Sequence, residues 1–341
     1  MKAAFYQSKG TFTVENIPAA PPAKGEVQVR IGYCGICGTD LHVFHGDMDA
    51  RVKPPSIIGH ECSGVVTALG EGVQGFRIGD RVAVRPLWPD DTCPACLDGL
   101  SHICYNLKFM GVDTPGAFQE YWNVPDFTVH YLPKGLSMKL GAVVEPLAVA
   151  CHDVRRSGVK AGDTAVIIGG GPIGMLVAMV AKEKGVNVVI SEISQPRVEF
   201  AKSMGIEAVN SGEVDLVACI EEKTGGKGAD VVFEVSGSTP GAEMMTKLVK
   251  ARGTIVVVAI FAHKPPVDLH RFFWRELTML GARVYERQDF DEALDIAAKG
   301  TMPLDRIVTK VAPLDEIESA FAGTGTNPVD MKTLIEVGGE L

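Results

Sequence analysis

The chain has 341 residues, 46% hydrophobic and 22% charged, the proportions of an ordinary globular protein of about two domains. Lys and Arg total 33 against 42 Asp and Glu, and the net charge of −9 opposes binding to a nucleic-acid backbone or an anionic membrane. No run reaches the ~18 uncharged apolar residues of a membrane span, and MKAAFYQSKG lacks the apolar core of a signal peptide, so a cytosolic location is expected. Eight cysteines in that compartment point to metal or buried thiols rather than disulfides.

From Met1 to about Val149 the chain reads as β-rich with little helix: short alternating runs such as Val27–Ile31 and Gly64–Leu69 are separated by Pro and Gly. Cys37-Gly38-Thr39-Asp40-Leu41-His42 places a thiol, a hydroxyl and an imidazole close together, and Gly59-His60-Glu61 adds an imidazole and a carboxylate. That donor mixture suits Zn²⁺. Cys34, Cys62, Cys151 and Cys219 read instead as small buried core residues. Cys93, Cys96 and Cys104 form a second cluster, one ligand short of a closed tetrahedral site. Asp90, three residues before Cys93, could be the fourth.

From Cys151 to about Gly281 the texture becomes strand–helix–strand, which implies a doubly wound parallel sheet. Thr164–Ile168 is a β-branched strand followed by Gly169, Gly171 and Gly174, with Pro172 and Ile173 opening a helix that runs to Lys184. Val186–Ile190 is a second strand, with Glu192 at its carboxyl end. Together these form a dinucleotide fingerprint, in which glycines admit the pyrophosphate to a helix N-terminus and the acid binds the adenosine ribose. A carboxylate there repels the 2′-phosphate of NADP, so NAD is expected, with Arg197 close enough in sequence to bear on that choice. Further buried strands are expected at Val231–Val235 and Thr254–Ile260, the latter at a sheet edge. Ser236, Gly237, Val258 and Ile260 then fall at carboxyl ends of strands, where such a fold lines its ligand crevice. After Tyr285 an amphipathic helix, Asp289–Lys299, and short segments are too few to stand alone and are expected to pack on the first domain.

In combination these motifs resemble the zinc-containing medium-chain alcohol dehydrogenases. The signature GHExxGxxxxxGxxV is present as Gly59-His60-Glu61, Gly64, Gly70 and Val73, and CGTDLH matches the first zinc ligand and the proton relay. The resemblance implies an α/β chain with a GroES-like catalytic domain (residues 1–149, completed by 287–341) and a Rossmann NAD-binding domain (150–286). It makes Cys37 and His60 ligands of a catalytic zinc, with Glu61 and Glu145 competing for the remaining positions, and Thr39 and His42 a proton relay. Glu145 stands where classical alcohol dehydrogenases have Cys and sorbitol, threonine and butanediol dehydrogenases have Glu. The family's structural-zinc lobe has four cysteines; here the first falls on Asp90, and an oxygen ligand binds zinc more weakly than a thiolate.

The implied reaction is hydride transfer between a secondary alcohol, such as a polyol, diol or sugar alcohol, and NAD. Phe44 and Phe118 match stretches that wall the family's pocket. Tyr285 falls near a position where sorbitol dehydrogenases carry an Arg-Tyr pair, but the pair's Arg is here Val284, with Arg283 and Arg287 nearby. Arginines facing a pocket would favour a sugar acid or amino acid, so a threonine or sugar-acid dehydrogenase is the alternative. More distant readings are a zinc-independent quinone reductase and a non-catalytic NAD-binding redox scaffold. Family members commonly form dimers or tetramers, and a homo-oligomer is expected.

Overall fold

Val27, Val29 and Ile31 alternate along one strand and are all fully buried, as in a sheet with one face on a core. In the computed structural model, which describes all 341 residues, that strand belongs to the first of two compact units. The first unit is Met1–Glu145 with Glu286–Leu341, and the second is Pro146–Tyr285.

The first unit opens with strands β1 (Lys2–Ser8), β2 (Thr11–Asn16), β3 (Glu26–Gly35), β4 (Glu61–Leu69) and β5 (Arg81–Val84). Then come β6 (Leu87–Trp88), β7 (Lys108–Phe109), β8 (Tyr121–Pro125) and β9 (Val129–Tyr131). Helices α1 (Gly38–Phe44) and α2 (Pro94–Leu97) lie between them, α3 (Met138–Gly141) follows β9, and α4 (Val144–Ser157) leads onward. In the second unit β10 (Thr164–Ile168), β11 (Asn187–Glu192), β12 (Glu207–Asn210), β13 (Ala229–Glu234), β14 (Val249–Val257) and β15 (Thr278–Gly281) alternate with helices. Those helices are α5 (Pro172–Glu183), α6 (Gln195–Ser203), α7 (Leu216–Lys223), α8 (Thr239–Leu248) and α9 (Leu269–Arg275). The chain returns to the first unit with α10 (Arg287–Lys299), β16 (Val308–Pro313), α11 (Ile317–Gly323) and β17 (Lys332–Glu336).

The large sheet of the first unit has the order β16-β17-β3-β4-β5-β9, with β8 also on β3. β17 is antiparallel to β3, with Leu334 opposite Gly35, so the last strand of the protein lies beside the segment that leads into Cys37. Its core includes an aromatic cluster in which Phe321 of α11 meets Phe12, Phe44 and Phe118 at 4.8, 5.3 and 5.6 Å between ring centres. Helix α1, like the four-residue α2 and α3, departs from the β-rich texture. Cys37 is extended, and its N–H donates to the Asp40 carboxylate at 2.9 Å. That local bond starts α1 in a stretch whose own propensities are weak.

The second unit is a parallel sheet in the order β12-β11-β10-β13-β14-β15, the doubly wound dinucleotide-binding arrangement. Ala165, Val166 and Ile167 of β10 are fully buried, as are Leu176, Val177 and Ala178 of α5. The strand expected at Thr254–Ile260 runs Val249–Val257 and is interior, between β13 and β15. The edge strand is β15, whose four residues are too few to show a period. No helix is long and apolar enough to cross a membrane.

Candidate catalytic, metal and cofactor sites

Cys37 and His60 are brought together by different elements: the start of α1 and the turn before β4. Ligand atoms of Cys37, His60 and Glu61 lie within 4.8 Å of one another. Asp40, fully buried, has one oxygen on the Cys37 N–H and the other 3.5 Å from His60 Nδ1. A carboxylate behind an imidazole fixes the ring's orientation and tautomer and raises its basicity as a ligand. Burial works against a charge on His60, but Asp40 and Cys37 outweigh it, so the ring is pushed well above the ordinary imidazole range. A metal ion would take the place of that proton. The thiol, imidazole and carboxylate, converging and nearly buried, fit zinc.

Glu61 is held from behind by Lys332 of β17, whose Nζ lies 2.8 and 2.7 Å from its two oxygens. Glu145, in the first turn of α4, is buried but stands outside the group formed by Cys37, His60 and Glu61. Thr39 is half-buried on α1, and His42, one turn on, is exposed with Nδ1 3.2 Å from Asp47. Asp40 and Lys332 were not among the candidates named from sequence. Asp40 carried a signal, a carboxylate three residues after a helix-starting Cys37. Lys332 carried none, being 271 residues from Glu61 along the chain.

In the second cluster Asp90 stands with the three cysteines: Asp90, Cys93, Cys96 and Cys104 place four ligand atoms within 4.8 Å of one another. Cys93 Sγ lies 3.5 Å from Cys96 Sγ and 3.8 Å from Cys104 Sγ, close to the ~3.8 Å between thiolates that share a tetrahedral zinc. Backbone N–H groups of Asp90 and Asn106 donate to Cys104 Sγ, and that of Tyr105 to Cys93 Sγ, at 3.3 to 3.4 Å. Burial opposes ionisation of Cys93, but these donors and the neighbouring thiols outweigh it and lower its pKa. Asp90 is held well below the usual carboxylate range by Asn106 and by the N–H groups of Cys93 and Thr92. A charged oxygen and three thiols form a donor set that fits zinc.

In the second unit Gly169 has φ 107°, and a Cβ on Gly174 would stand 1.9 Å from the Gly169 carbonyl, so both positions demand glycine. Glu192 is buried at the carboxyl end of β11 and accepts the N–H groups of Gly170, Ile193 and Ser194 at 2.8 to 2.9 Å. Gly171 caps α5, Pro172 and Ile173 form its first turn, and the Arg197 guanidinium lies 4.0 Å from where a Gly171 Cβ would be. Ser236 abuts Gly169, and Gly237 abuts the Ile260 carbonyl. Val258 and Ile260 lie just past β14, and Ile260 is exposed. Glu192, Arg197 and Ser236 thus stand at the glycine-rich turn itself, and Gly237 links it to the segment after β14.

The pocket residues fare differently. Phe118 is fully buried and Phe44 nearly so, both within the aromatic cluster, so they serve the core and Phe118 has no surface left for a ligand. Tyr285 is also fully buried. Arg283 is exposed, and Arg287, on the outside of α10, has Nε 3.9 Å from Asp291.

Comparison with known proteins agrees with this geometry. Residues 23–134 match the alcohol dehydrogenase GroES-like domain and residues 172–299 the zinc-binding dehydrogenase domain. The chain therefore belongs to the zinc-containing medium-chain alcohol dehydrogenases, and it is an oxidoreductase of secondary alcohols that uses zinc and a nicotinamide dinucleotide. The non-catalytic reading is thereby set aside. The chain is 54% identical to the 2-dehydro-3-deoxy-L-galactonate 5-dehydrogenase of Pseudoalteromonas atlantica, over all of both chains. It is 34% identical to the (R,R)-butanediol dehydrogenase of Neisseria gonorrhoeae, over 94% of each. The crystal structure of 2R,3R-butanediol dehydrogenase from Bacillus subtilis superposes with a TM-score of 0.92 at 32% identity, over 99% of each chain.

Proposed function

We propose that the chain interconverts a secondary alcohol and a ketone on a carboxylated sugar, a deoxy sugar acid, with NAD as hydride carrier. The observation that carries this is the step in identity from 34% among diol and polyol dehydrogenases to 54%, over the whole chain, with a sugar-acid dehydrogenase. The polyol reading has support in Glu145. The test is turnover across aldonic acids, 2-keto-3-deoxy acids, polyols and vicinal diols. A kcat/KM at least about tenfold higher for an acid than for its reduced polyol is expected, each tenfold being about 1.4 kcal/mol of carboxylate recognition. Equal values would return the assignment to polyols.

In this reading Cys37 and His60 hold the zinc, Asp40 orients His60, and Asp90, Cys93, Cys96 and Cys104 hold a second ion in the lobe. Zinc supplies Lewis acidity that lowers the pKa of the substrate hydroxyl. Thr39 would accept the hydroxyl proton while passing its own on through the nicotinamide ribose towards His42, which stands at the surface and would release it to solvent. Glu192 takes the adenosine ribose hydroxyls and disfavours a 2′-phosphate, so NAD is preferred over NADP. Cys37→Ala is expected to abolish turnover while NAD affinity, measured by fluorescence titration, stays within about threefold.

A homo-oligomer joined along β15 completes the proposal. β15 is an open edge, α9 just before it in the chain has no buried residue, and Leu269, Phe273, Trp274 and Met279 are 45 to 76% exposed. An apolar open edge of this kind calls for a partner strand, and a second copy offers an identical one.

A further inference from the structure

Glu234 is a carboxylate that the reaction leaves unused. It ends β13, is fully buried, and sits in the sheet between Ile168, just before Gly169, and Val257, at the end of β14. Every partner of its side chain lies in its own turn, and none is a cation. Oε1 accepts the N–H of Ser236 at 3.1 Å and the Ser236 hydroxyl, and Oε2 accepts the N–H of Gly237 at 3.2 Å. Ser236 Oγ in turn accepts the N–H of Ser238 at 3.2 Å. The fold makes room for this arrangement: a Cβ on Gly241 would stand 2.6 Å from Glu234 Oε1. Burial pushes the Glu234 carboxyl above its ordinary range, against the bonds from Ser236 and Gly237. Stability from this group therefore falls as pH rises past the unfolded value, and at neutral pH its charge is a cost to the fold.

The turn it holds is placed at the crivice of the sheet on both sides. A Cβ on Gly169 would stand 3.1 Å from the Ser236 nitrogen, and one on Gly237 would stand 3.1 Å from the Ile260 carbonyl. The Glu234 carbonyl accepts the N–H groups of Val258 and Ala259 at 3.0 and 3.1 Å. Backbone from three strand ends is thus gathered around one residue, at the carboxyl end of a parallel sheet, where such folds take a dinucleotide.

We propose that Glu234 is a positioning residue for the nicotinamide dinucleotide, which never touches the cofactor but holds the Ser236–Gly237 turn in the shape that receives it. This rests on reading the glycine-rich turn as the dinucleotide site. Glu192 and Glu234 lie on the strands either side of β10; the first meets the cofactor, and the second fixes backbone around it. A turn fixed beforehand lowers the ordering cost of binding.

The test compares wild type with Glu234→Gln, Ser236→Ala and the double variant by fluorescence titration with NAD, urea unfolding without NAD, and kinetics on the best substrate of the panel above. Glu234→Gln keeps the side chain's size and gives up one acceptor. It is expected to weaken NAD binding at least about tenfold, with the loss in KM for NAD and with kcat at saturation within about threefold. Its urea midpoint stays near the wild-type value, because the buried charge is gone. A residue serving the fold alone would lower that midpoint and leave NAD affinity as it was, and this result overturns the proposal. Ser236→Ala loses part of the affinity, and the double variant binds NAD within about twofold of Glu234→Gln, because the two side chains act as one unit. Additive losses would give Ser236 a separate role and also overturn the proposal. If Glu234→Gln does not fold, Glu234→Asp decides: its shorter carboxylate keeps the charge but cannot reach Ser236 and Gly237 together, so affinity falls, and unchanged affinity overturns the proposal. A Glu192→Ala protein with wild-type NAD affinity is a separate failure, since it overturns the reading of the turn as the dinucleotide site.

Discussion

His130 ties the stability of the first unit to pH through one ring. Its side chain is 5% exposed, packs 4.7 Å from Phe290, and has Nδ1 3.1 Å from Asp291. Burial, then the charge of Arg85, lower its pKa to about 4, against the attraction of Asp291. The unfolded ring titrates near 6.5, so between those values the unfolded chain binds the extra proton and stability falls as pH falls. From pH 7 to pH 4 this group alone should remove about 3 kcal/mol. Urea unfolding of wild type and His130→Gln would check it: the Gln variant should lose less stability over that interval, and parallel curves would refute the assignment. Other residues were legible because their chemistry is local. Cys37, His60 and the glycines announce themselves by type and spacing, whereas Phe44 and Phe118, matched to a pocket, went to the core because Phe321 arrives from the C-terminal segment to pack on them.

Among the elements, the cysteine lobe is the one whose integrity is expected to depend on the proposed metal ion. Its hydrophobic cluster is small, consisting of Cys93, Ala95 and Cys104 with Cys96 and Leu107 against it, so packing alone holds it weakly. With Asp90 as the proposed fourth ligand, an oxygen among thiolates, Asp90→Ala should reduce bound zinc from about two per chain to about one. Metal analysis after dialysis reads this directly, and proteolysis near Leu97–Tyr105 should quicken at the same time. Unchanged metal content would exclude Asp90 as a ligand. Asp90→Cys should instead slow zinc loss to a chelator, because a thiolate replaces an oxygen. Long elements were readable: β10, α5 and β11 carry their period, and α10 fills the expected helix and begins at Arg287, two residues sooner, because Glu286 and Asp289 form a capping box. Short ones were not. α1 depends on a single side-chain bond from Asp40, and β15 has four residues whose place is decided by pairing with β14.

For the molecule as a whole, the open edge at β15 predicts assembly. Trp274→Glu combined with Met279→Glu should convert an oligomer to a smaller species in sedimentation velocity, since charges on an apolar edge block pairing. An unchanged sedimentation coefficient would move the interface elsewhere. The order of motifs along the chain was enough to indicate the family and its β-rich and doubly wound parts, and to single out the residues of the two candidate metal clusters and of the glycine-rich turn. Each of these is encoded within a few dozen residues, where spacing translates directly into geometry. Tertiary structure alone decided that Asp40 stands behind His60, that β14 is interior, and that Lys332 reaches Glu61. These depend on segments far apart in sequence meeting through sheet register, and above all on the last strand, β17, pairing with β3. No periodicity or local spacing encodes such a meeting, because the partners share no stretch of chain.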